Sequence, residues 1–154
     1  IVAVAVRAAE LRTQNITYCR PGTSATARTA CASFTSTVLQ QAGVPAPFQA
    51  ATEGIWNNRA LQQVVARSAV LDSNYFEKNK AALQVGDIIW WGDGQTKGCG
   101  KPRSTKIFNH VGFYVGNGMA VDTSSESGFV MERKAGRTWK CSTFNGAKRY
   151  GANL

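Results

Sequence analysis

The feature of this sequence that most restricts its fold is a change of pattern near Gln84. Before that point the apolar residues follow helical spacing, and after it they form short β-branched and aromatic runs separated by glycine-rich turns. Helices followed by strands are typical of an α+β domain rather than of alternating βαβ units. We therefore expect N-terminal helices packed on a C-terminal antiparallel sheet, with residues 1–154 forming one domain.

The pattern predicts three helices and five strands. The helices are expected over residues 3–12, 31–42 and 60–70. The strands are expected over residues 87–91, 111–115, 119–123, 129–133 and 144–150. The second helix has the clearest signals, because Thr29 is a candidate N-cap and Gly43 supplies a stop.

Basic residues dominate the charge: eighteen Lys and Arg against nine Asp and Glu give a formal net charge of +9. Such an excess favours an anionic partner, whether nucleic acid, an acidic surface or a charged polymer. The basic residues concentrate in two groups, the first at Lys97, Lys101, Arg103 and Lys106 and the second at Arg133, Lys134, Arg137 and Lys140. We take the first group as candidate substrate-binding residues, and a solvated loop is the alternative.

Two classes of partner are not expected. No aromatic and basic pattern of an RNA-recognition module accompanies the basic groups, so nucleic acid is not the expected partner. No apolar stretch approaches the roughly 20 residues that a membrane helix needs. We therefore expect no insertion into a membrane.

Cys31 is the cysteine whose position suggests chemistry. The four cysteines form no C-x-x-C pair, so the sequence predicts no metal site. Cys31 opens the second predicted helix, where free backbone N–H groups and the helix dipole stabilise a thiolate. A thiolate at this position can act as a nucleophile. The alternative is a small buried apolar residue on the helix stripe.

His110 is the only histidine in the chain and stands at the start of the second predicted strand. Strand alternation puts it on the same face as Gly112, whose missing side chain would let the cysteine helix approach. A lone histidine is ordinarily structural. Its combination with a helix-opening cysteine favours a Cys–His catalytic pair instead.

Asp122 can orient the imidazole in only one register of the next hairpin. A three-residue loop pairs Val115 with Met119, and counting back then places Asp122 opposite Gly112, on the face of the histidine. A two-residue Asn-Gly loop would turn Asp122 away. We expect the three-residue register, because it keeps the apolar residues of the strand together; the alternative is an aspartate that caps the following turn.

Four segments, in order, carry a resemblance to a known family: CASFTSTVLQQAGVP, LQVGDIIWW, NHVGFYVGNGMAVDTSS and FNGAKRY. They resemble the successive signatures of the NlpC/P60 cysteine peptidases, papain-like cell-wall enzymes related to CHAP amidases. The resemblance implies the papain-like NlpC/P60 fold. It also implies that Cys31 is the nucleophile, His110 the base and Asp122 the orienting residue, with Tyr18 near the oxyanion. The third residue of the family is often His, Asn or Gln rather than Asp.

The resemblance implies hydrolysis of amide bonds in bacterial peptidoglycan peptides, without a metal or an organic cofactor. Peptidoglycan, or another anionic wall polymer, would be the substrate of a secreted lysin, autolysin or antibacterial toxin. An immunity or inhibitor protein is a further partner compatible with the toxin. Two alternatives stay open: a deamidase or transacylase acting on a protein, and a non-catalytic basic module that binds the wall.

The cysteines outside this mechanism leave room for one disulfide. Because Cys31 must stay reduced, we expect the pair Cys99–Cys141, although Cys19 could replace either partner. A disulfide would indicate an oxidising compartment, in agreement with secretion and with the Asn-Ile-Thr sequon at residues 15–17.

Overall fold

The computed structural model describes residues 1–10, 31–45, 49, 51–68, 72–93, 110–123, 130–136 and 142–151. The helices among them are α1 (Val2–Glu10), α2 (Cys31–Gln41), α3 (Thr52–Trp56) and α4 (Tyr75–Asn79), with a 3₁₀ helix at Lys80–Ala82. The strands are β1 (Leu61–Val65), β2 (Ile88–Asp93), β3 (His110–Gly116), β4 (Met119–Thr123), β5 (Val130–Lys134) and β6 (Ser142–Tyr150).

The strands form one sheet in the order β1-β6-β2-β3-β4-β5. Every neighbouring pair is antiparallel. The last strand, β6, inserts between β1 and β2, so the C-terminal strand lies in the interior of the sheet. The expectation of N-terminal helices and an antiparallel sheet is confirmed.

The first face of the sheet is covered by helices α1, α2 and α3. Phe34 and Val38 of α2 are fully buried there against Phe113 of β3. The rings of Phe34 and Phe113 meet edge to face with centroids 6.1 Å apart. Burying a side chain of this size contributes about 1.5–3 kcal/mol, which makes the contact a main attachment of α2 to the sheet.

The opposite face is also buried, which explains why β2 reads as a continuous apolar run. Trp91, Tyr114 and Ala120 lie on this face and contact a cluster that includes Phe76 of α4 and Phe144 of β6. The rings of Phe76 and Phe144 also meet edge to face, at 5.5 Å. Side chains that alternate between the two faces of β2 and β3 therefore all meet apolar neighbours.

The predicted helix over residues 60–70 is wrong, because its first part is strand β1. This segment pairs with β6 at the edge of the sheet, and that pairing overrides a weak helical pattern. Helices α3 and α4 were missed because five residues are too few to show helical spacing. The helix that begins at Cys31 ends at Gln41, one residue before its predicted end, whereas its candidate cap Thr29 lies outside the described residues.

The turn between β3 and β4 contains two residues, Asn117 and Gly118. Gly116 pairs with Met119 to close it. Asn117 has φ 52° and Gly118 has φ 72°, as a two-residue turn that follows the strand twist requires. Asn and Gly are the residues that adopt this conformation at the lowest cost.

Beyond the turn, β3 and β4 nevertheless pair in the register expected for a three-residue loop, because Phe113 pairs with Val121. The pairing shifts by one residue at Val115, between the turn and this register. One further step brings Asp122 beside Gly112. A Cβ placed on Gly112 would lie 2.8 Å from Cβ of Asp122, so the two backbones approach closely here. The two registers that the sequence left as alternatives are therefore joined by a β-bulge.

Candidate active site

Cys31 is the first residue of helix α2, and its thiol is free and partly buried. The backbone N–H groups of Val111 and Ala32 donate hydrogen bonds to its sulfur, and the side chain of His110 bonds it as well. The N–H groups in the first turn of a helix have no partner within the helix. Both the helix and the neighbouring strand thus direct donors at the sulfur.

These donors change the acidity of Cys31. Burial, the largest single influence, would raise the pKa of the thiol. The hydrogen bond and charge of His110, together with the two backbone N–H groups, outweigh burial and hold the pKa below its ordinary value of 9.0.

His110 begins strand β3 and is buried, with 6% of its surface exposed. Its ring packs on Trp91 with centroids 5.3 Å apart and an angle of 41° between the planes. Trp91 is itself fixed, because its Nε1 donates a 2.8 Å hydrogen bond to the carbonyl of Ala135. Nε2 of His110 is hydrogen-bonded to Oδ2 of Asp122, which leaves Nδ1 as the nitrogen for Cys31.

The two partners make the imidazole basic. Burial, again the largest influence, would lower the pKa of His110. The hydrogen bonds and charges of Asp122 and Cys31 together raise it to about 9. A thiol of lowered pKa beside an imidazole of raised pKa favours the thiolate–imidazolium form of the pair.

Asp122 on strand β4 has no exposed surface and contacts a cation that sequence reasoning did not assign to the site. Arg133 of β5 donates from Nε to Oδ1 at 3.0 Å and from Nη2 to Oδ2 at 2.5 Å. Nη2 also donates to the carbonyl of Thr123 at 3.2 Å. The sequence placed Arg133 only in a basic group, because its contact with Asp122 depends on the β4–β5 register.

The space beside Gly112 is filled by strand β4 and Trp91, and not by the cysteine helix as expected. A Cβ there would lie 2.7 Å from the carbonyl oxygen of Val121 and 3.3 Å from the ring of Trp91, as well as meeting Asp122. Helix α2 packs on the opposite face, against Phe113. Its first residue, Cys31, nevertheless contacts His110, the first described residue of β3.

The remaining expected site residues lie outside the described residues. They are Tyr18, Lys97, Lys101, Arg103 and Lys106. Cys19, Cys99 and Cys141 also lie outside, so the Cys99–Cys141 disulfide stays a prediction. Across the described segments, no helix is both long and apolar enough to cross a membrane. The same segments bring together no group of three or more His, Cys, Asp or Glu side chains that could hold a metal ion.

Comparisons with known proteins agree with this fold. No curated protein matches the chain. A solved structure from Staphylococcus aureus, described as similar to a lipoprotein of the NLP/P60 family, superposes with a TM-score of 0.58 at 16% identity. The superposition covers 99% of this chain and 42% of the other, so this chain spans less than half the length of that protein and shares its fold. The sequence itself matches the NlpC/P60 family over residues 17–148, and the chain therefore belongs to the NlpC/P60 family.

Proposed function

We propose that this protein is a cysteine-dependent hydrolase of amide bonds in peptidoglycan peptides. Membership of the NlpC/P60 family points to a peptidoglycan-related hydrolase. The observation that carries the proposal is the continuous chain of contacts from Cys31 through His110 to Asp122. A helix-opening thiolate, a base and an orienting carboxylate are the groups that a papain-like mechanism needs.

Acylation begins at the thiolate. The sulfur of Cys31 attacks the amide carbonyl carbon, and the carbonyl electron pair moves onto oxygen. In this proposal the backbone N–H of Cys31, in the first turn of α2, stabilises that oxyanion. As the oxyanion collapses, the C–N bond breaks and protonated His110 gives its Nδ1 proton to the leaving nitrogen. The products are a thioester on Cys31, a free amine and a neutral imidazole.

Deacylation restores the starting charges. Neutral His110 accepts a proton from water, and the water oxygen attacks the thioester carbonyl. The C–S bond breaks, the carboxylic acid product leaves, and Cys31 is again a thiolate beside an imidazolium. Asp122 accepts the Nε2–H hydrogen bond throughout, which keeps Nδ1 directed at the sulfur.

The proposed place of action is the bacterial cell wall, reached by secretion as a lysin, an autolysin or an antibacterial toxin. The net charge of +9 supports this proposal, because a basic protein is attracted to a wall rich in carboxylates or phosphates. For a toxin, an immunity or inhibitor protein would be a further partner.

Incubation with defined muropeptides, with mass spectrometry of the products, tests the proposal. We expect Cys31→Ala and His110→Ala to remove nearly all cleavage while the fold is kept, because each supplies a group that reacts. Asp122→Ala should lower turnover by roughly 10- to 1,000-fold, because it orients rather than reacts. Lys80→Gln, on an exposed residue paired with Glu77, is the matched control and should cleave like the wild type.

The outcomes separate the alternatives. Wild-type cleavage by either folded Cys31 or His110 variant would contradict the mechanism. Binding to walls without any cleavage by the wild type would favour the non-catalytic module. Loss of ammonia from a protein substrate, with muropeptides left intact, would favour the deamidase.

A further inference from the structure

Arg133 extends the chain of contacts behind His110 by one residue. We propose that Arg133 is a positioning residue, which fixes the carboxylate of Asp122 against His110 and supplies the cation that balances the buried site. The proposal rests on the proposed function, but its first test measures the thiol alone and needs no substrate.

The register of the sheet brings the guanidinium to the carboxylate. Asp122 pairs with Met131 and Ala120 pairs with Arg133 across strands β4 and β5. Arg133 therefore shares a face with Asp122 and lies diagonally from it, within reach of a long side chain. The third hydrogen bond, to the carbonyl of Thr123, ties the guanidinium to β4 itself.

The geometry of the ion pair fixes the carboxylate rather than merely attracting it. Nε and Nη2 of Arg133 donate to different oxygens of Asp122, which holds the plane of the carboxylate. Oδ2 is also the oxygen bonded to His110. Rotation of the carboxylate away from the imidazole would therefore break contacts on both sides at once. The side chain of Arg133 is 16% exposed and that of Asp122 is fully buried, so the pair is weakly screened by solvent.

Arg133 also completes the charge balance of the site. The thiolate of Cys31 and the carboxylate of Asp122 carry two negative charges, and the imidazolium of His110 and the guanidinium of Arg133 carry two positive charges. Replacing Arg133 by an uncharged residue leaves a net charge of −1 in a buried place. Loss of a nearby cation favours the protonated form of every neighbouring acid, so the pKa of Cys31 should rise.

The packed elements carry further ionisable groups. They are Glu132 and Lys134 of β5, Arg7 of α1, Tyr114 of β3, Tyr75 of α4 and the pairs Lys78–Asp72 and Lys80–Glu77. The two β5 neighbours alternate to the face that α1 covers. The two tyrosine hydroxyls bond backbone groups, and the two α4 pairs lie at the surface.

The first test is the pH dependence of iodoacetamide alkylation, followed at the Cys31 peptide by mass spectrometry. Arg133→Met and Arg133→Gln should each raise the midpoint by about one pH unit, the order of effect expected for loss of one buried charge at an effective dielectric constant of about 20. Arg133→Lys keeps the charge and should stay within about 0.3 pH unit of the wild type. The three variants keep the proposal testable if one of them fails to fold.

Arg149 provides a matched control. It forms the same kind of two-pronged pair, with buried Asp87, through bonds of 2.6 and 2.8 Å. That pair lies just before β2 begins, at the opposite end of β2 from Trp91. Arg149→Met should lower stability and leave the alkylation midpoint unchanged. A purely structural role for Arg133 would make its variants behave in the same way.

The second test is turnover of a muropeptide. Arg133→Lys and Arg133→Met should both lower kcat by about 10- to 100-fold with little change in KM, because the carboxylate is no longer held in plane. In an Asp122→Asn background, Arg133→Met should cost less than a further 3-fold, since Arg133 acts through Asp122.

The outcomes distinguish this proposal from the proposed function. A raised midpoint in a protein that cleaves no muropeptide would support the role of Arg133 and contradict the substrate. Unchanged midpoints in folded Arg133→Met and Arg133→Gln would overturn the role of Arg133, whatever the protein cleaves. Equal kcat losses in the wild-type and Asp122→Asn backgrounds would also overturn it.

Discussion

Gly112→Ala should disturb the contact between His110 and Asp122 without changing either residue. The new Cβ would lie 2.7 Å from the carbonyl oxygen of Val121 and 2.8 Å from Cβ of Asp122. Both atoms are part of strand β4 or fixed to its backbone, so β4 has to move away from β3. Overpacking of this kind costs about 1–3 kcal/mol of folding free energy. For a chain of this size, about 2 kcal/mol corresponds to a fall in Tm of roughly 4–8 °C.

Gly112→Ala should reduce activity more strongly than it reduces stability. A displacement of about 1 Å at an orienting group can lower turnover by roughly 100-fold, and Asp122 is the residue that the added methyl group meets. Urea unfolding measures the stability, and muropeptide cleavage below 20 °C measures the activity of the folded fraction. Under these conditions the variant should be mostly folded and at least 10-fold slower.

Gly118→Ala in the same hairpin is the matched control. Nothing lies within 4 Å of a Cβ at Gly118, but its φ of +72° strains an alanine. This variant should lose about 1 kcal/mol of stability and keep its turnover. Wild-type stability and turnover in Gly112→Ala would refute the reasoning, because close packing of β3 on β4 would then not be what places Asp122.

Two further predictions concern the ion pair and the core. Because the pKa of Cys31 lies below 9.0 and that of His110 is raised to about 9, turnover should be bell-shaped in pH. It should rise as Cys31 loses its proton below pH 9 and fall near pH 9 as His110 loses its own, and a rise that continues past pH 10 would contradict the assignment. Phe34→Ala should cost about 3–5 kcal/mol in urea unfolding, because Phe34 is fully buried against Phe113. The smaller change Val115→Ala, at a partly buried residue, should cost less than half as much.

The sequence predicted well where one face or one element decides the pattern. Helix α2 is predicted from its apolar stripe and its glycine stop. Strands β3 and β4 are predicted from short apolar runs on either side of a glycine-rich turn. The pattern of the β1 segment predicts a helix, because Gln, Val and Ala residues over a short window fit both the helical and the strand period. Its pairing with β6, more than 80 residues later in the chain, is a tertiary contact that no local pattern contains.

The bulge at Val115 shows a second limit. The residues Gly116-Asn117-Gly118 fit a two-residue and a three-residue loop equally well. From sequence alone, the strand registers that follow from these two loops are mutually exclusive alternatives. The structure uses the tight turn and then recovers the other register within two residues. The bulge decides on which face of the sheet Asp122 lies, yet its only signal in the sequence is a glycine next to the turn.

Arg133 shows why part of the site could not be read from the sequence. Its contact with Asp122 depends on the offset between β4 and β5, which no local sequence pattern predicts. A basic residue on the second strand of a hairpin is ordinarily a solvated side chain. Only the observed pairing of Asp122 with Met131 puts Arg133 on the buried side.

The position of the single histidine follows from the two-faced sheet. The carboxylate and Trp91 lie on one face, and helix α2 lies on the other, so the sheet separates the nucleophile from the group that orients the base. His110 joins the two groups, because its Nε2 bonds Asp122 and its other nitrogen is left for Cys31, the first residue of α2. The catalytic geometry that we propose therefore depends on the position of His110 beside the start of that helix.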